Sequence, residues 1–124
     1  MKLVAAWSIP MKVVSEQNTH EYWWASMGRH KMQKLLVKNS WNAQKGLKFD
    51  LPAHIVLTRL SPRFLDSDNL PSSLKWIRDA LADCIIPGLR PGRADDQKKG
   101  LTFEVKQEKA KEQGVKIQIY EISN

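Results

Sequence analysis

Between residues 70 and 122 the spacing of apolar residues changes once, and that change limits what the chain can fold into. Leu70, Leu74, Ile77, Leu81 and Cys84 recur every three or four positions and end near Ile85. That is one face of an α-helix. Beyond residue 100, LTFEVKQ and VKIQIYEI alternate apolar with polar residues, which is the period of a half-buried strand. The polar run EKAKEQG lies between them, so the pair reads as a C-terminal β-hairpin.

The rest of the chain extends this pattern. Residues 2–9, KLVAAWSI, read as a first strand closed by Pro10. A helix is expected from Glu21 to about Asn39, with Gly28 weakening its middle. Trp24, Met32, Leu35 and Leu36 fall on one arc of it and are expected to face the core. Residues 52–60, PAHIVLTRL, read as a strand ending at Pro62. The second helix begins between Asn69 and Pro71, with Asn69 as N-cap and the proline in the first turn, where its missing N–H costs nothing. Residues 86–100, rich in Pro and Gly, form a loop. The order β-α-β-α-β-β implies an α+β fold, with helices packed against one mixed sheet. At 124 residues, 1–124 is expected to be a single domain.

Charge narrows the partners. Twenty Lys and Arg against thirteen Asp and Glu leave a formal charge of +7, the footprint either of a polyanion partner, nucleic acid or an acidic membrane, or of a small protein that is basic only for solubility. From Tyr22 to Phe49 there is no acidic residue, and Lys31, Lys34 and Lys38 share one helical stripe. They read either as phosphate contacts or as a solvated face whose lysine stems cover the core edge. Cys84 stands alone, so no internal disulfide forms, and scattered His20, His30 and His54 make no zinc site. No segment has the length or apolarity of a signal sequence or membrane span, which leads us to expect a cytoplasmic protein without a membrane partner.

Against this basic background the acids gather in two places. Asp66 and Asp68 stand in a polar turn before the second helix, and Asp95-Asp96 lie among Arg90, Arg93, Lys98 and Lys99. In an extended turn, residues i and i+2 point the same way, so two carboxylates would share a space that a cation relieves. An oxygen-only site suits Mg²⁺ or Mn²⁺. A calcium loop counted from Asp66 fails, with Pro71 where it needs Gly and Ile77 where it needs Glu. Both acidic pairs also admit a plainer reading, as turn residues solvated or neutralised by their neighbours.

The series D66-S-D68-N69-L70, then K75-W-I-R-D79-A80-L81, then D95-D96, resembles the RusA family of Holliday-junction resolvases, many of them phage-encoded. The opening WSIP with SEQN and the closing QEKAKEQGVKIQI are similar to the ends of that family. The resemblance implies a homodimeric, Mg²⁺-dependent endonuclease of four-way DNA junctions, with Mn²⁺ as a possible substitute and no small-molecule cofactor. It implies Asp66, Asp68 and Asp96 as metal ligands, with Asp95 the alternative in the last pair, and Lys75 as the active-site lysine. The spacer PSSL before Lys75 is longer than in the best-known members, so Lys75 takes the family position only if its helix starts after it. Otherwise Lys75 is an exposed partner of Asp79 one turn on. Lys31, Lys34, Lys38, Arg63, Asn69, Lys98 and Lys99 are the candidates for contacting DNA, and Phe64 either wedges between bases or belongs to the core. Two other functions fit the same composition: a non-catalytic basic module for branched or bent DNA, and a protein-interaction domain presenting tryptophans.

Overall fold

The computed structural model describes residues 1–14, 23–45, 47–87 and 100–122. Its elements are β1 (Lys2–Ile9), α1 (Trp23–Asn42), β2 (Ala53–Ser61), α2 (Leu70–Ser73), α3 (Lys75–Ile85), β3 (Leu101–Lys109) and β4 (Gly114–Glu121). The α+β class and the expected order of elements hold, with the second helix divided in two. The four strands form one mixed sheet in the order β1-β4-β2-β3. β4 is antiparallel to both β1 and β2, and β3 is parallel to β2. Three strands therefore run one way, and β4 alone runs against them.

This order modifies the expected hairpin. β3 and β4 are consecutive, opposed and joined by a short connection, but β2 lies between them. The connection passes over the end of β2, where Ala110 N–H donates to the Ser61 carbonyl at 3.1 Å. The hairpin is split because β2 is the most apolar strand. Ala53, Ile55, Val56 and Leu57 are all buried, and the centre of a sheet is where such a strand loses most contact with water.

One face of the sheet carries Ile55, Leu57, Leu101, Val115, Ile117 and Ile119, and this face meets the helices. Leu70, Leu74, Ile77 and Leu81 complete the core as their spacing predicts, joined by Met11 and Val13 after β1. Trp7 Nε1–H donates to Ser40 Oγ on α1 at 3.0 Å, which ties β1 to that helix. The opposite face is polar toward the β3 edge, with ion pairs Lys106–Glu104 and Lys116–Glu108, each at 3.3 Å.

The expected inward arc of α1 is corrected. Trp24, Met32 and Leu35 are 58%, 54% and 51% exposed, while Val37 and Gln33 are buried. Leu36 is only half-buried. The helix is thus turned about half a revolution from the apolar arc, with His30 and Lys34 against Trp76 of α3. The hydrogen bond from Trp7 to Ser40, and Val37 in the core, set the rotation that periodicity misassigned.

Candidate nucleic-acid and metal site

The loop after β2 carries Asp66 and Asp68 at the end of the sheet where the parallel strands β1, β2 and β3 finish. The loop is held from two sides. Arg59, a buried arginine on β2, donates from Nη1 to the Arg63 carbonyl at 2.9 Å and from Nε to the Val13 carbonyl at 3.3 Å. It joins the segment after β1 to the loop after β2, and burial pushes its pKa below the usual guanidinium value. On the other side Gln107 of β3 grips Leu65. Leu65 N–H donates to Oε1 at 3.0 Å, and Nε2 donates to the Leu65 carbonyl at 2.9 Å.

Past Leu65 the chain closes a turn instead of extending. The Asp66 carbonyl accepts from Asn69 N–H at 2.9 Å and from Leu70 N–H at 3.2 Å. The alternation rule that would aim Asp66 and Asp68 alike applies to extended backbone and lapses here. Both residues are exposed. Asn69 is mostly buried; it stands at the cap position of α2 in helical geometry and its side chain makes no cap hydrogen bond, contrary to the expected N-cap. Its carbonyl accepts from Ser72 Oγ at 3.0 Å and from Ser73 N–H at 3.1 Å.

The spacer PSSL is absorbed by α2. Pro71 occupies the first turn as expected, Leu74 breaks the helix with its side chain fully buried, and α3 begins at Lys75. The helix that carries Lys75 thus begins after the spacer. Lys75 is exposed, and its Nζ lies 5.1 Å from the centre of the Trp76 ring. Lys34 Nζ lies 4.9 Å from the same ring, and His30 stacks on it at 4.3 Å with the planes 25° apart.

Lys31, Lys34, Lys38 and Arg63 are all exposed. Lys34 and Lys75 are brought together at Trp76. Lys38 acts at the other end of α3, where its charge opposes an upward shift of the Cys84 thiol caused first by burial and then by Asp83. Phe64 is 53% exposed, so it is not core, and Lys109 Nζ lies 5.5 Å from its ring centre. Asp95, Asp96, Lys98 and Lys99 lie outside the described residues. Among the described residues no three of His, Cys, Asp and Glu group closely enough to hold an ion, and Asp66 and Asp68 supply two carboxylates of the expected set. Carboxylate oxygens are the right donors for a hard divalent cation. No described helix is long and apolar enough to cross a membrane.

Three residues of this region were not singled out by sequence reasoning: Arg59, Gln107 and Trp76. Arg59 leaves one signal, a charge inside a run of buried strand residues. Gln107 leaves a faint one, since it falls in phase with Leu101, Phe103 and Val105 on the apolar side of the alternation. Neither a protein-family model nor a curated protein sequence matches this chain.

Proposed function

We propose that the protein is a Mg²⁺-dependent, structure-selective endodeoxyribonuclease that resolves four-way DNA junctions as a homodimer. The observation that carries the reading is the loop of Asp66 and Asp68, exposed at the carboxyl end of the parallel strands and held there by Arg59 and Gln107, in a chain of charge +7. The family resemblance of D66-S-D68-N69 and K75 supports it. Asp66, Asp68 and Asp96, or Asp95 in its place, would hold the ion, with Mn²⁺ as substitute. Bound there, the ion lowers the pKa of a water and polarises the phosphodiester. Lys75 offsets charge developing on the leaving oxygen. Lys31, Lys34, Lys38, Arg63, Lys98 and Lys99 hold the DNA chiefly through its backbone, which selects shape over sequence, while the buried Asn69 shapes the loop instead of meeting DNA. Two-fold pairing presents two such sites to symmetry-related strands.

α3 lies between the end of β2 and the start of β3, which is at the opposite end of the sheet, where the carbonyl of Gly100 (φ +81°) accepts from Ala53 N–H at 2.8 Å. Asp96 is four residues from Gly100, a tether of at most ~14 Å. Gln107, which grips Leu65, lies seven residues up β3 from Gly100, roughly 23 Å away. A shared ion therefore requires the chain before Gly100 to lead back along β3 toward Asp66.

The test is a synthetic four-way junction incubated with and without Mg²⁺, beside linear duplex. Cleavage of the junction alone, only with the metal, is expected. Asp66→Asn should abolish cutting and leave binding intact. A variant that still cuts puts the site elsewhere. A wild-type protein that binds the junction with an affinity falling steeply with salt, yet never cuts it with either metal, is the non-catalytic module.

A further inference from the structure

The geometry points to a two-lysine phosphate clamp built on Trp76, formed by Lys34 of α1 and Lys75 of α3, with the phosphodiester backbone of DNA as its ligand. The inference rests on the nucleic-acid half of the function proposed above and not on its metal.

His30 and Lys34 are one helical turn apart on α1, so they share the face that meets α3. His30 stacks on the Trp76 indole at 4.3 Å, which seats the ring against α1. Lys34 and Lys75 then bring their ammonium groups to 4.9 and 5.1 Å from the ring centre, within the ~6 Å range of cation–π attraction. These distances hold the two Nζ atoms no more than about 10 Å apart, one Debye length at 0.1 M salt. The charges consequently feel each other. Among the described residues neither clamp lysine has a carboxylate partner.

The indole attracts each ammonium through the negative charge of its faces, so both charges are held beside one ring. An anion between them gains from both, and a DNA phosphate also releases its condensed counterions. Trp76 already carries His30 and two ammonium groups, so it serves as a platform for the lysines instead of a stacking surface for a base. The clamp also joins α1 to the helix that follows the Asp66–Asp68 loop. A phosphate held there connects the lysine stripe of α1 with the chain segment that carries the acids.

The test is junction binding in EDTA, followed by fluorescence anisotropy across a salt series, for wild type, Lys34→Ala, Lys75→Ala and the double variant. Each single change should lower the slope of log affinity against log salt by about one. The double variant should lose little more than either single, because each change breaks the same shared contact. Lys31→Ala, on the outer side of α1, should combine independently with Lys34→Ala. Trp76→Leu should match the double variant with both lysines present, and Trp76→Phe should retain most of the affinity. Should Trp76→Leu unfold the protein, the lysine cycle decides alone. Losses at Lys34 and Lys75 that multiply as independent sites overturn the clamp, as does wild-type binding by both single variants. Cleavage in Mg²⁺ is scored separately: a coupled cycle without cleavage removes the nuclease and keeps the clamp, while cleavage with an uncoupled cycle does the reverse.

Discussion

The side-chain amide of Gln107 makes two hydrogen bonds to the backbone of Leu65, accepting from its N–H at 3.0 Å and donating to its carbonyl at 2.9 Å. A glutamine on an edge strand thus stands in for the backbone of a neighbouring strand, and it does so one residue before Asp66. Gln107→Leu removes both partners of partly buried groups and should cost about 1–3 kcal/mol in urea unfolding. The Leu65 amide should exchange with solvent faster. Gln107→Glu keeps the acceptor but turns an oxygen toward the Leu65 carbonyl, so it should not restore wild-type stability. Unchanged exchange at Leu65 in Gln107→Leu would show that the loop does not depend on this brace.

Arg59 performs the matching task from β2, and its fork geometry is what the task needs. One guanidinium reaches the Val13 and Arg63 carbonyls together. Arg59→Met leaves both acceptors without it and should cost about 2 kcal/mol or more. Arg59→Lys keeps the charge but presents a single point donor, so it should behave closer to Met than to Arg. Limited trypsin digestion checks the local effect: cleavage after Arg63 should appear in both variants before any other new cut.

The orientation of α1 is testable by two substitutions two residues apart. Val37 is fully buried and Leu35 half exposed. Val37→Ala should destabilise by roughly 2 kcal/mol, whereas Leu35→Ala should stay within about 0.5 kcal/mol of wild type, although leucine is the larger side chain. The reverse ranking in chemical unfolding would restore the arc of Trp24, Met32 and Leu35 to the interior.

Cys84 gives a prediction in pH. Burial and Asp83 raise its pKa more than Lys38 lowers it. Alkylation requires the thiolate, so the rate should rise with pH through a midpoint above the ~8.5 of a free thiol. Lys38→Ala removes the opposing charge and should move the midpoint further up. The folded protein binds this proton more tightly than the unfolded chain. Its contribution to stability is therefore complete below the unfolded pKa and fades as pH rises through the folded one.

Much of the architecture was legible from residue order. The stripe from Leu70 to Leu81 marked a buried helical face, and the alternation in residues 101–122 marked two strands. Period two states which face a side chain takes, but it does not name the neighbouring strand. Nothing in LTFEVKQ or VKIQIYEI indicates that β2 separates them. The continuous apolar run of β2 was the one available hint of a central position. The error in α1 has a related cause. Trp24, Met32 and Leu35 form as good an arc as any on that helix, but the seat at Trp7 and Trp76 selects a different face.

The candidate site divides in the same way. The residues proposed for metal and phosphate chemistry, Asp66, Asp68, Lys75 and the lysines of α1, are written in the chain, because spacing and charge are local properties. What holds them is not. Gln107 reaches Leu65 across forty-two positions, Arg59 spans two loops, and Lys34 meets Lys75 only where two helices pack on one indole. Those contacts exist through the docking of separate elements on a shared sheet. Sequence alone determined which elements form and which chemistry they bring; tertiary structure decided which faces turn inward and which distant side chains meet, because burial is a property of the assembled core and of no single segment.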